Sequence, residues 1–402
     1  MDWFIDILRH YPVIPIFFTL GVGFWLGKLR YGSFSLGSVA ATLLVGIIVG
    51  QLDIPIPAVV KSLFFILFLF SIGYSVGPQF FHALRGHGWK QVGFAVVEAL
   101  ICAGTVVAAA KIMNYSTGEG VGLFAGSQTC SAALGVISDT VRGLTVPEPE
   151  KDYLEQIIPA CYAVTYVFGA IGSAWFLSMM GPKMLGGLKK VQDEAAAIEK
   201  AAEPAHTAEI TENKQSAATS EQIETTDMVF IGLGIAVGCF IGAMSIRLKS
   251  IPISLSTTGG ALLMGLFLGW YRNRKPKFGY IPSSVVWFLD NLGLNVFIAV
   301  IGLTAGPAFI PAVKSVGVTL VLVGAVCTMI PMIICIFLGN KVFRFSAPET
   351  LGCVAGARCG VAAIGAIQDS IGSTVPMVGY TVTYATANFI LVFSSLIVLF
   401  VV

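Results

Sequence analysis

Long apolar runs separated by short clusters of charge set the first limit on what this chain can become. Charged residues make up 11% of it and hydrophobic residues 56%, against about 25% charged in an ordinary soluble domain. The charges gather in clusters, Lys28/Arg30, Arg85/Lys90, Arg272 to Lys277 and Lys341/Arg344, and in one polar stretch near the middle. The runs between them are long enough, at about 1.5 Å per helical residue, to cross roughly 30 Å of hydrocarbon. A soluble core of this size needs polar faces on its helices, and almost none are visible. The chain therefore reads as an all-α polytopic membrane protein whose solvent is the lipid bilayer.

Apolar segments fall at about 11–27, 35–51, 56–80, 91–113, 119–140 and 155–181, then at 228–246, 252–270, 283–309, 314–339, 349–370 and 375–402. Between the two sets lies a linker, Gly186 to Asp227. Its first part predicts a short charged helix. The rest is rich in Ser, Thr, Glu and Gln, cannot bury a core, and reads as disordered. This divides the chain into a membrane repeat at 1–185, a flexible linker at 186–227 and a second membrane repeat at 228–402. No cleavable-signal pattern precedes the first span, which is expected to direct its own insertion.

The two halves are copies of one unit. SLGSVAATLLVGIIVG at Ser35–Gly50 returns as SLSTTGGALLMGLFLG at Ser254–Gly269, and IGYSVGPQF at Ile72–Phe80 returns as IGLTAGPAF at Ile301–Phe309. GLFAGSQTCSAALGVISD at Gly122–Asp139 matches GCVAGARCGVAAIGAIQD at Gly352–Asp369, and YAVTY at Tyr162–Tyr166 matches YTVTY at Tyr380–Tyr384. Glycines four apart repeat with them: Gly46/Gly50, Gly73/Gly77 and Gly122/Gly126, against Gly265/Gly269, Gly302/Gly306 and Gly352/Gly356. Such pairs let helix backbones approach closely where no hydrophobic effect drives association.

Six full spans per copy would leave the copies parallel; five spans and one segment that returns to its own side would invert them. With the linker in the cytoplasm, Arg272, Arg274, Lys275, Lys277, Lys341 and Arg344 are also inside. The inverted arrangement adds Lys28, Arg30, Arg85 and Lys90, whereas the parallel one adds Arg9, Lys61 and Lys111. Charge favours two inverted repeats in the inner (plasma) membrane, both termini outside, each copy with about five spans plus a broken or re-entrant segment. The odd segments are 119–140 and 349–370, rich in small residues and ending in Asp139 and Asp369. Irregular backbone at membrane depth belongs inside protein or beside a watery cavity, as in the broken helices of transporters.

Arg358 lies inside the second of these segments, where a cation is costly and needs a partner. Its planar guanidinium can hold a carboxylate by two parallel hydrogen bonds; alternatively it pairs internally with Asp369, Asp139 or Glu98. Its counterpart in the first copy is Gln128, flanked by Ser127 and Thr129. With Gly126, Gly356, Ala357, Cys359, Tyr384 and Asn388 these form the candidate substrate site. Ser127 and Thr129 could equally bond back to their own helix. Tyr166 and Thr383 are further cavity candidates. Asp139, Asp369 and Glu98 are candidates for coupling Na+ or H+, although the two aspartates also suit the ends of segments at the water boundary. Glu98 and Asp290, within or beside apolar spans, each read either as a proton carrier or as an interhelical partner.

Other chemistry finds little footing. The eight cysteines sit in apolar segments without a C-x-x-C and read as small buried hydrophobes, so neither metal nor disulfide is expected. A net charge of +2 gives no pointer to nucleic acid. No Walker A, dinucleotide or H-E-x-x-H pattern is present, so no cofactor, enzymatic activity or ATP-driven transport is expected.

The signatures IGYSVGPQFF and IGLTAGPAF, with GLFAGSQTCSAALG, GCVAGARCGVAAIG and the Y-x-V-T-Y segments, resemble the aspartate:alanine exchanger family of bacterial transporters. The likeness covers about 11–182 and 228–402. It implies a two-repeat carrier with a cytoplasmic middle region, related to the cation/proton antiporter and anion transporter superfamily. Elevator-like movement and a homodimer are the matching expectations. Family members carry a large central region with potassium-channel-regulator-like domains, which this linker is too short to hold. Many also have a Thr-x-Thr-Pro-type hairpin where this chain has Ser127-Gln128-Thr129-Cys130 and Ala357-Arg358-Cys359-Gly360. The expected function is exchange or ion-coupled movement of small carboxylate solutes, amino acids such as aspartate and alanine or dicarboxylates. The alternative is a monovalent cation/proton antiporter; a channel or membrane enzyme fits two broken-helix repeats less well.

Overall fold

The apolar runs identified above are helical in the computed structural model, which describes residues 2–31, 34–35, 38–85, 88–143, 147–200, 226–248, 251–254, 256–275 and 278–402. After a short α1 (Asp2–His10) come α2 (Val13–Gly27), α3 (Ser38–Gly50), α4 (Ala58–Arg85) and α5 (Trp89–Met113). The segment 119–140 is two short helices, α6 (Thr117–Ser127) and α7 (Ser131–Gly143), followed by α8 (Glu148–Trp175). A π-helical turn, Phe176–Met180, and α9 (Gly181–Met184) end the first half. The charged start of the linker is helical over 188–200, here α10; the remainder, 201–225, lies outside the described residues.

The second half repeats the order: α11 (Met228–Ala243), α12 (Ser256–Arg274), α13 (Ser283–Lys341), α14 (Ala347–Ala357), α15 (Val361–Ile371) and α16 (Pro376–Val401). Two small antiparallel ribbons, unforeseen from the sequence, sit at equivalent places. β1 (Arg30–Tyr31) pairs with β2 (Phe34–Ser35) before α3, and β3 (Ser245–Leu248) pairs with β4 (Ile251–Ser254) before α12.

One expectation is corrected. Separate spans at 283–309 and 314–339 are instead limbs of the single α13, helical without a break. Its apolar stretches, 283–307 and 319–341, are joined through Pro307 and Pro311. Proline lacks the ladder donor and bends rather than ends a helix held by its neighbours. The limbs have different partners: Gly302 lies against α3, whereas Gly339 faces Phe94 near the start of α5.

The paired glycines make the closest helix contacts. A Cβ added at Gly46 would lie 2.9 Å from Gly302 Cα, and one at Gly50 2.9 Å from Leu303 Cα. A Cβ at Gly73 would lie 2.8 Å from Leu266 N, and one at Gly77 3.0 Å from Leu266 C. Thus α3 packs on the first limb of α13, and its counterpart α12 packs on α4. Residue numbers rise together along α3 and the first limb of α13, and along α4 and α12, so each pair runs the same way. The short connection 51–57 turns α4 back against α3. Where α4 meets α13, Phe65 stacks on Phe297 at 4.2 Å between ring centres.

These helices, with α2 and α11, form one bundle. A second bundle joins α5, α6 to α8, the second limb of α13 and α14 to α16. An apolar layer separates them, in which the Phe65 ring occupies the space a side chain at Gly135 would need.

Both interrupted segments fold back on themselves as helical hairpins. A Cβ at Gly122 would lie 2.6 Å from Ile158 O, and one at Gly126 2.6 Å from Tyr162 O. α6 and α8 therefore lie side by side and point the same way. α7 has 13 residues, about 20 Å of helix, and only 144–147 connect it to the start of α8. Five peptide steps reach at most about 18 Å, so α7 must return to the side from which α6 came. The same geometry holds for α14, α15 and α16: a Cβ at Gly356 would lie 2.5 Å from Tyr380 O, and 372–375 close the loop.

Candidate substrate site at two hairpin tips

Each hairpin tip is built from a helix end of the same form. At the first, Cys130 N donates to Ala125 O (2.9 Å) and Thr129 N to Gly126 O (3.0 Å). At the second, Gly360 N donates to Ala355 O and Cys359 N to Gly356 O, both at 2.9 Å. This is the Schellman closure, which needs a left-handed residue. Those residues are Thr129 (φ 51) and Cys359 (φ 56) rather than glycine. A β-branched threonine there is strained, by about 1–3 kcal/mol, and such strain gathers at functional sites. The mouths are secured by caps: Ser116 and Glu119 form a reciprocal capping box on α6, and Ser346 Oγ accepts from Glu349 N on α14.

The tips touch each other. Thr129 Oγ1 donates to Arg358 O at 3.0 Å, and the Cys130 and Cys359 thiols are neighbours across the same contact. Arg358 is 1% exposed and is the largest fully buried side chain. Its Nη1 donates to Thr328 O at 3.0 Å, and its Nη2 donates to Ser127 O. Both acceptors are neutral carbonyls. Among the described residues, no carboxylate forms an ion pair with Arg358. A buried guanidinium without a counter-ion is expensive.

Gln128 is also fully buried. Its Nε2 reaches Ser127 Oγ at 3.1 Å and Cys327 O at 3.4 Å, while Oε1 has no partner. The second limb of α13 thus serves both tips through Cys327 and Thr328, residues that reading the sequence missed. Pro331, four residues past Cys327, was the available signal: a proline in a helix frees the carbonyl four residues before it.

The other candidates divide. Gly126 and Gly356 let the tips lie against Tyr162 and Tyr380, and Ala357 ends α14 beside Arg358. Ser127 Oγ bonds back to Phe124 O (3.2 Å), whereas Thr129 does not bond back. Tyr384 is half-buried, its backbone N 2.9 Å from where a Cβ at Gly356 would sit. Asn388 Nδ2 donates to Tyr384 O (2.9 Å) along its own helix. Asp369 is exposed on α15, away from the tip, and the side chain of Asp139 lies outside the described residues. Glu98 is 0% exposed, with neither carboxyl oxygen hydrogen-bonded. The cysteines are free thiols, all buried except the half-buried Cys239 and Cys359.

Six stretches among the described residues are long and apolar enough to cross a membrane. Together with two helical hairpins meeting at a buried cation, they define a multi-pass membrane protein of the transporter class, as the relatives below bear out. A family model described as Predicted Permease Membrane Region (Asp-Al_Ex) matches residues 15–182 and 230–400, and the chain belongs to that family. It is 28% identical to an uncharacterized transporter of Shewanella oneidensis, with 100% of both chains covered. A second uncharacterized transporter, from Zymomonas mobilis, is 25% identical over 97% of this chain and 98% of its own length. The aspartate/alanine antiporter of Tetragenococcus halophilus is 25% identical, covering 90% of this chain and 92% of that protein.

Proposed function

We propose that this chain exchanges small carboxylate solutes, amino acids such as aspartate and alanine or dicarboxylates, by alternating access. The observation that carries the reading is Arg358, buried where two re-entrant tips cross and bonded only to carbonyl oxygens. A carboxylate supplies the missing negative charge and fits the guanidinium fork. Ser127, Gln128, Thr129, Cys359 and the tip glycines line the same place, with Tyr384 and Asn388 behind the second tip. The name of the Tetragenococcus relative supports an amino acid substrate.

The repeats are inverted in this reading. Support comes from helix direction: α3 runs with the first limb of α13, α4 turns back on α3, and α4 and that limb are counterparts. Re-entrant hairpins leave an odd number of crossings per copy. The termini then face outside and the linker the cytoplasm, with 1–185 and 228–402 as the repeats. The glycine-locked bundle is the scaffold, and the hairpin bundle slides along the apolar layer between them as an elevator. The outer faces of α2 and α11, with Phe17, Phe18, Trp25, Leu233 and Phe240 exposed, meet lipid or the second copy of a homodimer.

Besides the half-buried Asp290, whose Oδ1 has no hydrogen-bond partner, ion coupling by Na+ or H+ has a fully buried candidate in Glu98. It is also what favours the second reading, monovalent cation/proton antiport. Counterflow in proteoliposomes with labelled amino acids and dicarboxylates separates the two. Exchange of at least one such solute, reduced more than about 10-fold by both Arg358→Lys and Arg358→Gln, is the expected result. Unchanged uptake in both variants, or transport that needs only a cation and a pH difference, would contradict it.

A further inference from the structure

Glu98 is the second buried charge of the hairpin bundle, and the arrangement around it is as unusual as that around Arg358. It sits midway along α5, 0% exposed, with both carboxyl oxygens lacking a hydrogen-bond donor. Arg358 is the cation within electrostatic range of it. The other titratable groups nearby are thiols, one from each packed element: Cys102 on α5, Cys335 on the second limb of α13 and Cys353 on α14. Cys102 and Cys335 lie within range of both charges.

Two opposite buried charges that share a neighbourhood normally close into an ion pair, because a buried charge left unsatisfied is strongly destabilising. Here they do not. Arg358 is drawn away by Ser127 O and Thr328 O at the tips, and nothing among the described residues donates to Glu98. The hairpin bundle therefore holds a fork of donors in Arg358 and an unfilled pair of acceptors in Glu98. A solute carrying both charges would satisfy the two together, and its own ammonium would offset one carboxylate as it enters.

We propose that Glu98 takes the ammonium group of a transported amino acid while Arg358 takes its carboxylate, making Glu98 the residue that separates amino acids from amine-free acids. This rests on the carboxylate reading of Arg358 and adds a determinant of specificity to it. Sites built to bond a polar group reject analogues lacking that group strongly, because their own buried polar atoms are left unpaired.

The test compares aspartate with succinate, which is aspartate without its amine, as competitors of labelled aspartate or alanine counterflow in proteoliposomes. In the wild type, the ratio of inhibition constants, succinate to aspartate, is expected to exceed about 10. Glu98→Gln should bring that ratio toward one, and Glu98→Asp, which keeps the carboxylate, should keep much of it. N-acetyl-aspartate, whose amine carries no charge, should behave like succinate on the wild type, a comparison that needs no variant. A wild-type ratio near one would overturn the proposal. So would an unchanged ratio in Glu98→Gln, or an equal loss of both affinities in a variant that melts like the wild type. If Glu98 carried a proton instead, the variant would alter the pH profile for both competitors alike, which also overturns it. Failure of the underlying reading looks different: Arg358→Gln would then leave both inhibition constants untouched.

Discussion

Gln128 and Arg358, counterparts in the two copies, donate to consecutive carbonyls of one helix turn: Gln128 Nε2 to Cys327 O at 3.4 Å and Arg358 Nη1 to Thr328 O at 3.0 Å. A single limb of α13 therefore sets the spacing of both tips. The carbonyl offered to Gln128 is the one released by Pro331, whose nitrogen has no hydrogen to return to the ladder.

Pro331→Ala restores that hydrogen. The helix itself should tolerate the change or gain from it, since proline inside a helix costs about 3 kcal/mol. The melting temperature in detergent should not fall, yet exchange should slow several-fold because Cys327 O is drawn back into the ladder. A variant that transports like the wild type would remove Pro331 from the site's construction.

Gly356 tests the contact that seats the second tip. A methyl group there would lie 2.5 Å from Tyr380 O, and overpacking of this kind costs about 1–3 kcal/mol. Gly356→Ala should lower the melting temperature by several degrees and impair exchange. Gly365→Ala, on α15 with nothing within 4 Å, should be neutral or stabilising by about 0.5–1 kcal/mol.

The linker helix α10 holds the mouth of the second hairpin. Glu194 Oε2 accepts from Ala347 N at 2.8 Å, Gln192 Nε2 donates to Ile371 O at 3.2 Å, and Ser373 Oγ donates to Glu199 Oε1 at 2.7 Å. An anion at a helix N-terminus contributes about 0.3–1 kcal/mol. Glu194→Ala should speed amide hydrogen exchange across the first turn of α14 several-fold and leave α6 unchanged. Equal protection in both proteins would mean α10 merely rests there.

Glu150 and Thr374, both exposed, stand beside the mouths of the two hairpins. In a cysteine-free background, Glu150→Cys should react with a membrane-impermeant maleimide on intact cells, and Thr374→Cys only after permeabilisation. Labelling of both from the same side would refute inversion.

Much of the fold was legible because hydrocarbon imposes one rule on every span, and the charge clusters mark where spans end. The tips were legible for a different reason: Gln128 and Arg358 stand inside stretches too small and too polar to face lipid. What could not be read was geometry that depends on the partner helix. The continuity of α13 through Pro307 and Pro311 required neighbours that hold a bent helix together. The ribbons beside α3 and α12 are too short to leave a pattern of alternation. The strain at Thr129 followed from a helix closure that the sequence does not signal, since glycine or asparagine is the usual mark of it. Asp369 and Glu98 were both candidates for ion coupling, although Asp369 also suited a segment end at the water boundary; burial separates them, one exposed and the other sealed.

Equilibrium binding of aspartate to the purified protein in detergent, wild type against Arg358→Lys, bears most directly on the site. Lysine keeps the charge but loses the fork, and charge-assisted hydrogen bonds are worth about 1.5–3 kcal/mol. The variant should therefore bind roughly 10- to 100-fold more weakly while melting within a few degrees of the wild type. Equal affinity in the two proteins would show that Arg358 does not hold the solute.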